Sequence, residues 1–98
     1  MTAPTRRETP VLCFYTSPGC HLCAAARIQL QQVLEERARA GLTTCRVEER
    51  AIGDDPAWQR RYLETIPALA LDGRELPLAT SRHAIGAFLA TALDGNLA

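Results

Sequence analysis

The sequence predicts an α/β domain with element order β-α-β, helix, β-hairpin, helix, built on a mixed four-stranded sheet flanked by helices. Three observations carry this. Two short β-prone runs, at residues 11–15 and 44–48, are separated by a helical apolar period over residues 20–40. A second pair of such runs is joined by Asp72-Gly73, a strong two-residue hairpin signal. A last amphipathic stretch follows Ser81. With 98 residues and 47% hydrophobic content there is material for one core and no second one.

Val11-Leu12-Cys13-Phe14-Tyr15 is a continuous apolar run, as expected of a strand buried on both faces. Ser17-Pro18-Gly19 breaks it. The helix from Cys20 carries Cys23, Ala26, Leu30, Val33 and Leu34 at helical spacing, with Arg27, Gln31, Glu35 and Arg39 between them, and Gly41 stops it. Thr44-Cys45-Arg46-Val47-Glu48 alternates like a second strand. Asp54-Asp55-Pro56 marks a helix start, a capping Asp followed by Pro at the first helical position, with Trp58, Tyr62 and Leu63 as its apolar side. Residues 68–71 and 74–78 form the hairpin, and Pro77 makes its second strand an edge strand. Ser81 caps a helix bearing Ile85, Phe88, Leu89 and Leu93. Two strands joined by a long helix should be parallel and the hairpin antiparallel.

Residues 1–10 read as a flexible tail and residues 11–98 as the domain. The 11 basic residues, all arginine, balance 11 acidic ones, which gives no electrostatic reason to expect a nucleic-acid partner. No apolar run is long enough to span a bilayer, so no membrane partner is expected and the cytoplasm is the expected compartment. A monomer is expected.

In such a compartment four cysteines should rest mostly reduced, so Cys20-His21-Leu22-Cys23 reads as redox-active or metal-binding. A thiol at a helix N-terminus faces unpaired N–H groups and the positive end of the helix dipole, which favour its thiolate. Cys20 is therefore the candidate nucleophile. Cys23, one turn on, is the candidate resolving thiol, buried until it attacks a mixed disulfide on Cys20. His21 is the candidate modulator: a positive charge there would stabilise the thiolate and make the disulfide more oxidising. Cys13 and Cys45 read as small buried hydrophobes. Trp58 reads as packing and His83 as a surface residue, while Tyr15 reads as core or as rim. No metal site is expected, because zinc would need a second ligand pair that Cys13 and Cys45, each placed in a strand, do not supply.

Ser-Pro-Gly-Cys-His-Leu-Cys after the first strand, with Ile66-Pro67-Ala68-Leu69-Ala70-Leu71-Asp72-Gly73-Arg74-Glu75-Leu76 later, resembles the thioredoxin fold. The match is closest to small bacterial glutaredoxin-like proteins with a Pro-Gly-Cys-His-x-Cys signature. The resemblance implies a cis peptide between Ile66 and Pro67, packed across from the cysteines, with Ile66 and Pro67 as substrate-binding residues that present backbone to a bound chain. It further implies a thiol–disulfide oxidoreductase acting on a protein or low-molecular-weight disulfide, with the thioredoxin or glutathione system as alternative electron donors. The other class is a non-catalytic module: a redox sensor, or a domain binding protein, metal or an iron–sulfur cluster. Glutathione-using members carry Gly-Gly-x-x-Asp before the last helix. Here the region reads Leu78-Ala79-Thr80-Ser81-Arg82-His83, so no glutathione motif is evident and no cofactor is expected.

Overall fold

The structure is a computed structural model whose described residues are 9–95. Most of the tail expected over residues 1–10 lies outside them. The elements are β1 (Val11–Thr16), α1 (His21–Arg39), β2 (Arg46–Ala51), a single 3-10 turn at Ile52–Asp54, α2 (Pro56–Tyr62), β3 (Ala68–Leu71), β4 (Arg74–Leu76) and α3 (Arg82–Asp94). The sheet order is β2-β1-β3-β4, with β1 parallel to β2 and antiparallel to β3, and β3 antiparallel to β4. This is the mixed sheet expected.

Alternation along the two central strands divides the core into two layers. Leu12 and Phe14 of β1, with Leu69 and Leu71 of β3, face α1 and α3, where they meet Ala26, Leu30, Val33, Ile85 and Leu89. Cys13, Tyr15, Ala68 and Ala70 face the other way, toward Ile52, Trp58 and Tyr62. Both faces of β1 are thus covered, which is why its sequence is apolar throughout.

The edge strands are different. In β2, residues 46–49 are exposed, and in β4 Arg74 and Glu75 are exposed. The second strand was expected at 44–48 but runs from Arg46 to Ala51. Its register is set by its parallel partner: Arg46 N–H bonds to the Pro10 carbonyl at 2.9 Å, and pairing continues to Thr16↔Ala51. An edge strand needs no apolar run to be held there, so Glu48, Glu49 and Arg50 fall inside it. Cys45 consequently precedes the strand instead of lying within it. Cys13 and Cys45 are half-buried, not fully buried as expected.

The last strand stops at Leu76, short of the expected 78, because Pro77 has no N–H to donate and Leu78 turns to φ 51°. The hairpin turn itself has Asp72 and Gly73 both at positive φ (52° and 78°), the conformation for which Asp-Gly is selected. Leu63 lies just past α2 and is exposed, so Trp58 and Tyr62 alone make that helix's apolar side.

Candidate functional site

β1 ends in the buried Thr16, and Ser17-Pro18-Gly19 turns the chain with Gly19 at φ 78°. Cys20 N–H closes this turn on the Ser17 carbonyl at 3.2 Å. Cys20 is the N-cap of α1, with extended backbone, and its carbonyl accepts from Ala24 N–H at 3.1 Å. Its sulfur takes the role a serine hydroxyl takes in an ordinary cap: the backbone N–H of Cys23 donates to Cys20 Sγ at 3.1 Å. Cys20 is half-buried and Cys23 is 1% exposed, on the apolar face of the helix that continues through Ala26, Leu30 and Val33. The two are joined as a disulfide with Cα atoms 5.1 Å apart. His21 and Leu22 between them point to solvent, Leu22 with 56% exposure.

Ile66 and Pro67 come to the same end of the sheet. β1 and β3 are antiparallel, with Tyr15 opposite Ala68, so the loop leaving β1 and the loop entering β3 emerge together. The peptide between Ile66 and Pro67 is cis. Pro67 is buried and Ile66 half-buried. Since Leu76 lies opposite Leu69, the segment leaving β4 reaches this end as well. There Leu78 N–H donates to the Thr65 carbonyl at 2.8 Å and Ala79 N–H to the Pro67 carbonyl at 2.6 Å. These bonds straddle Ile66, whose own N–H and carbonyl take no part in the backbone bonds of these loops.

Three polar residues tie the strand behind the cysteine turn to α1, and sequence reasoning passed over them as a group. Thr16 donates its hydroxyl to Glu49 at 3.2 Å, and Arg27 of α1 donates Nε–H to the same carboxylate at 2.9 Å, with a second contact through its terminal nitrogen. The Arg27 hydrogen bond holds the Glu49 carboxyl below the ordinary carboxylate range. On the opposite layer Tyr15 is core: its ring stacks on Tyr62 with centroids 3.9 Å apart, and Arg50 lies over Trp58 at 4.8 Å. His83 is exposed on the first turn of α3.

Among the described residues no group of three or more His, Cys, Asp or Glu side chains gathers as a metal site. Cys13 and Cys45 belong to opposite layers of the core. An apolar groove of about 410 Å³ runs between α1 and β2, lined by residues that include Leu30, Leu34, Cys45 and Val47, but neither cysteine of the disulfide reaches it. No helix among the described residues is long and apolar enough to cross a membrane.

The family model described as Glutaredoxin-like domain (DUF836) matches residues 11–91. The X-ray structure of Northeast Structural Genomics target protein XcR50 from X. campestris is similar, with 32% identity and a TM-score of 0.64. That similarity covers 83% of this chain and 97% of the other. No curated protein matches.

Proposed function

We propose, from the premise that this chain belongs to the Glutaredoxin-like domain (DUF836) family, that it works as a thiol–disulfide oxidoreductase. Its fold is a glutaredoxin-like thioredoxin fold carrying a cysteine pair at disulfide distance. The observation that carries the proposal is the cap: Cys20 sits at the positive end of a 19-residue helix, and Cys23 N–H is aimed at its sulfur. In the reduced protein that N–H and the helix end both favour a Cys20 thiolate. Thiols so placed have pKa values of roughly 3.5–7.5, against about 8.5 for a free cysteine.

The steps follow from which sulfur is accessible. Cys20 thiolate attacks one sulfur of a substrate disulfide. A Cys20–substrate bond forms, the substrate S–S bond breaks, and the departing thiolate takes a proton from water. Cys23, buried one turn behind, gives up its proton and attacks Cys20 Sγ. The Cys20–Cys23 bond forms and the second substrate thiol leaves. Two electrons have passed from the dithiol to the substrate, and an external thiol reductant returns them. Run backwards, the same residues oxidise a dithiol. A positive charge on exposed His21, next to Cys20, would stabilise the thiolate and favour the reduced pair. Ile66, whose backbone N–H and carbonyl take no part in the backbone bonds of these loops among the described residues, would offer strand-like hydrogen bonds to the chain carrying the substrate cysteine.

Pre-reduced protein should reduce a model disulfide. Cys20→Ser should abolish that activity, and Cys23→Ser should accumulate a mixed disulfide on Cys20, seen as an intact-mass adduct. Equal activity in Cys20→Ser and the unaltered protein would sink the proposal.

A further inference from the structure

Leu78 is held against its own backbone preference. At φ 51° it occupies the left-handed region, where a leucine Cβ crowds the adjoining carbonyl and which non-glycine residues rarely adopt. Such a conformation persists only where the surroundings impose it. Here they do: Leu78 N–H is bonded to Thr65, Thr80 N–H to the Leu78 carbonyl at 2.8 Å, and Ala79 is fully buried with its N–H on Pro67. The side chain gains no core contact in exchange. It joins neither apolar cluster and is 53% exposed, in a segment bonded to both neighbours of Ile66.

The same bonds occupy three successive backbone donors of this segment. The N–H groups of residues 78, 79 and 80 are all taken internally, and the Ser81 hydroxyl accepts from Ala84 N–H at 3.0 Å. Glutathione is an ionic tripeptide whose carboxylates need donors, and these three backbone N–H groups have none to give it. What the segment offers beside Ile66 is an isobutyl group. The cysteine turn, at the same end of the sheet, offers another in exposed Leu22.

We propose that Leu78 is a specificity-determining residue, an apolar wall that selects polypeptide disulfides with a large apolar residue next to the reacting cysteine. This rests on the dithiol chemistry proposed above. The sulfur exchange is unchanged; Leu78 acts on which substrate is held over Cys20.

The test uses two peptide disulfides identical except for Leu or Gly beside the cysteine. Second-order rate constants are measured for single-turnover oxidation of the pre-reduced full chain, which needs no added reductant. The unaltered protein should favour the Leu peptide by about five- to tenfold, within the range an apolar subsite can supply. Glycine takes positive φ without strain and asparagine tolerates it, so Leu78→Gly and Leu78→Asn should both fold, the former with an unchanged or raised Tm. In both variants the preference should fall toward one. A ratio in the variants equal to that of the unaltered protein, or an initial preference for the Gly peptide, overturns the inference. If neither peptide oxidises the Cys20–Cys23 pair, the dithiol reading itself is overturned, and this inference falls with it.

Discussion

The Tyr62 hydroxyl donates to Glu75 at 2.8 Å, joining α2 to the edge strand β4, and Arg61 Nε–H reaches the same carboxylate at 3.1 Å. Burial first, and then the Glu75 hydrogen bond, push the Tyr62 phenol up to about 12. The hydrogen bond from Tyr62, helped by Arg61, holds the Glu75 carboxyl below its ordinary range. A phenol whose folded value is raised contributes stability that is complete below its unfolded value near 10 and lost as pH rises through about 12. Tyr62→Phe should therefore cost about 1 kcal/mol at pH 7 and flatten the loss of stability between about pH 10 and 12. Urea titrations across that range check both.

Arg37, 7% exposed, donates Nε–H to the Thr43 carbonyl at 2.8 Å and pairs with Asp94, gathering the ends of α1 and α3 onto one loop. Arg37→Met should destabilise by about 1–3 kcal/mol, through the orphaned carbonyl and lost pair. Asp94→Asn should cost less, since an amide oxygen still accepts and water reaches this position. Urea midpoints with unchanged slopes would establish the order.

Cys45 has its thiol pushed up to about 11 by burial, with nearby Arg37 opposing. At pH 8 only about one part in a thousand is thiolate, the species that alkylates. Its iodoacetamide labelling should rise about tenfold per pH unit from 7 to 10 without levelling. Peptide mass mapping reads this directly, and a plateau below pH 9 would contradict it.

Ser81 caps α3 through its hydroxyl. Ser81→Ala should cost about 1 kcal/mol and Ser81→Asp markedly less, because aspartate caps as well as serine. Thermal melts of the two variants separate the cap from any general effect at the site.

Features governed by local physics were legible in the sequence. β1 showed as an apolar run because both its faces are covered. α1 showed through the spacing of Cys23, Ala26, Leu30 and Val33. The hairpin showed because Asp72-Gly73 suits positive φ at two successive residues. The cysteine pair was legible for the same reason, since three residues along a helix bring Cys23 N–H under Cys20 Sγ. What escaped depends on distant partners. Thr16 and Arg27 meet on Glu49 from 33 and 22 residues away, and nothing near any of them signals the others. The boundaries of β2 come from its neighbour's register, and Leu78 takes its backbone angle from bonds to Thr65 and Pro67.

The charges on the sheet's two outer strands have a colloidal consequence. A row of unpaired N–H and C=O groups invites a further strand from another chain, the first step toward edge-to-edge aggregation. Here an incoming strand would have to settle beside exposed Arg46 and Glu48 on one side, or exposed Arg74 on the other. Each would lose hydration unless the newcomer carried the matching opposite charge at the matching position. The polar residues that obscured where β2 ends thus also protect it from recruiting another strand.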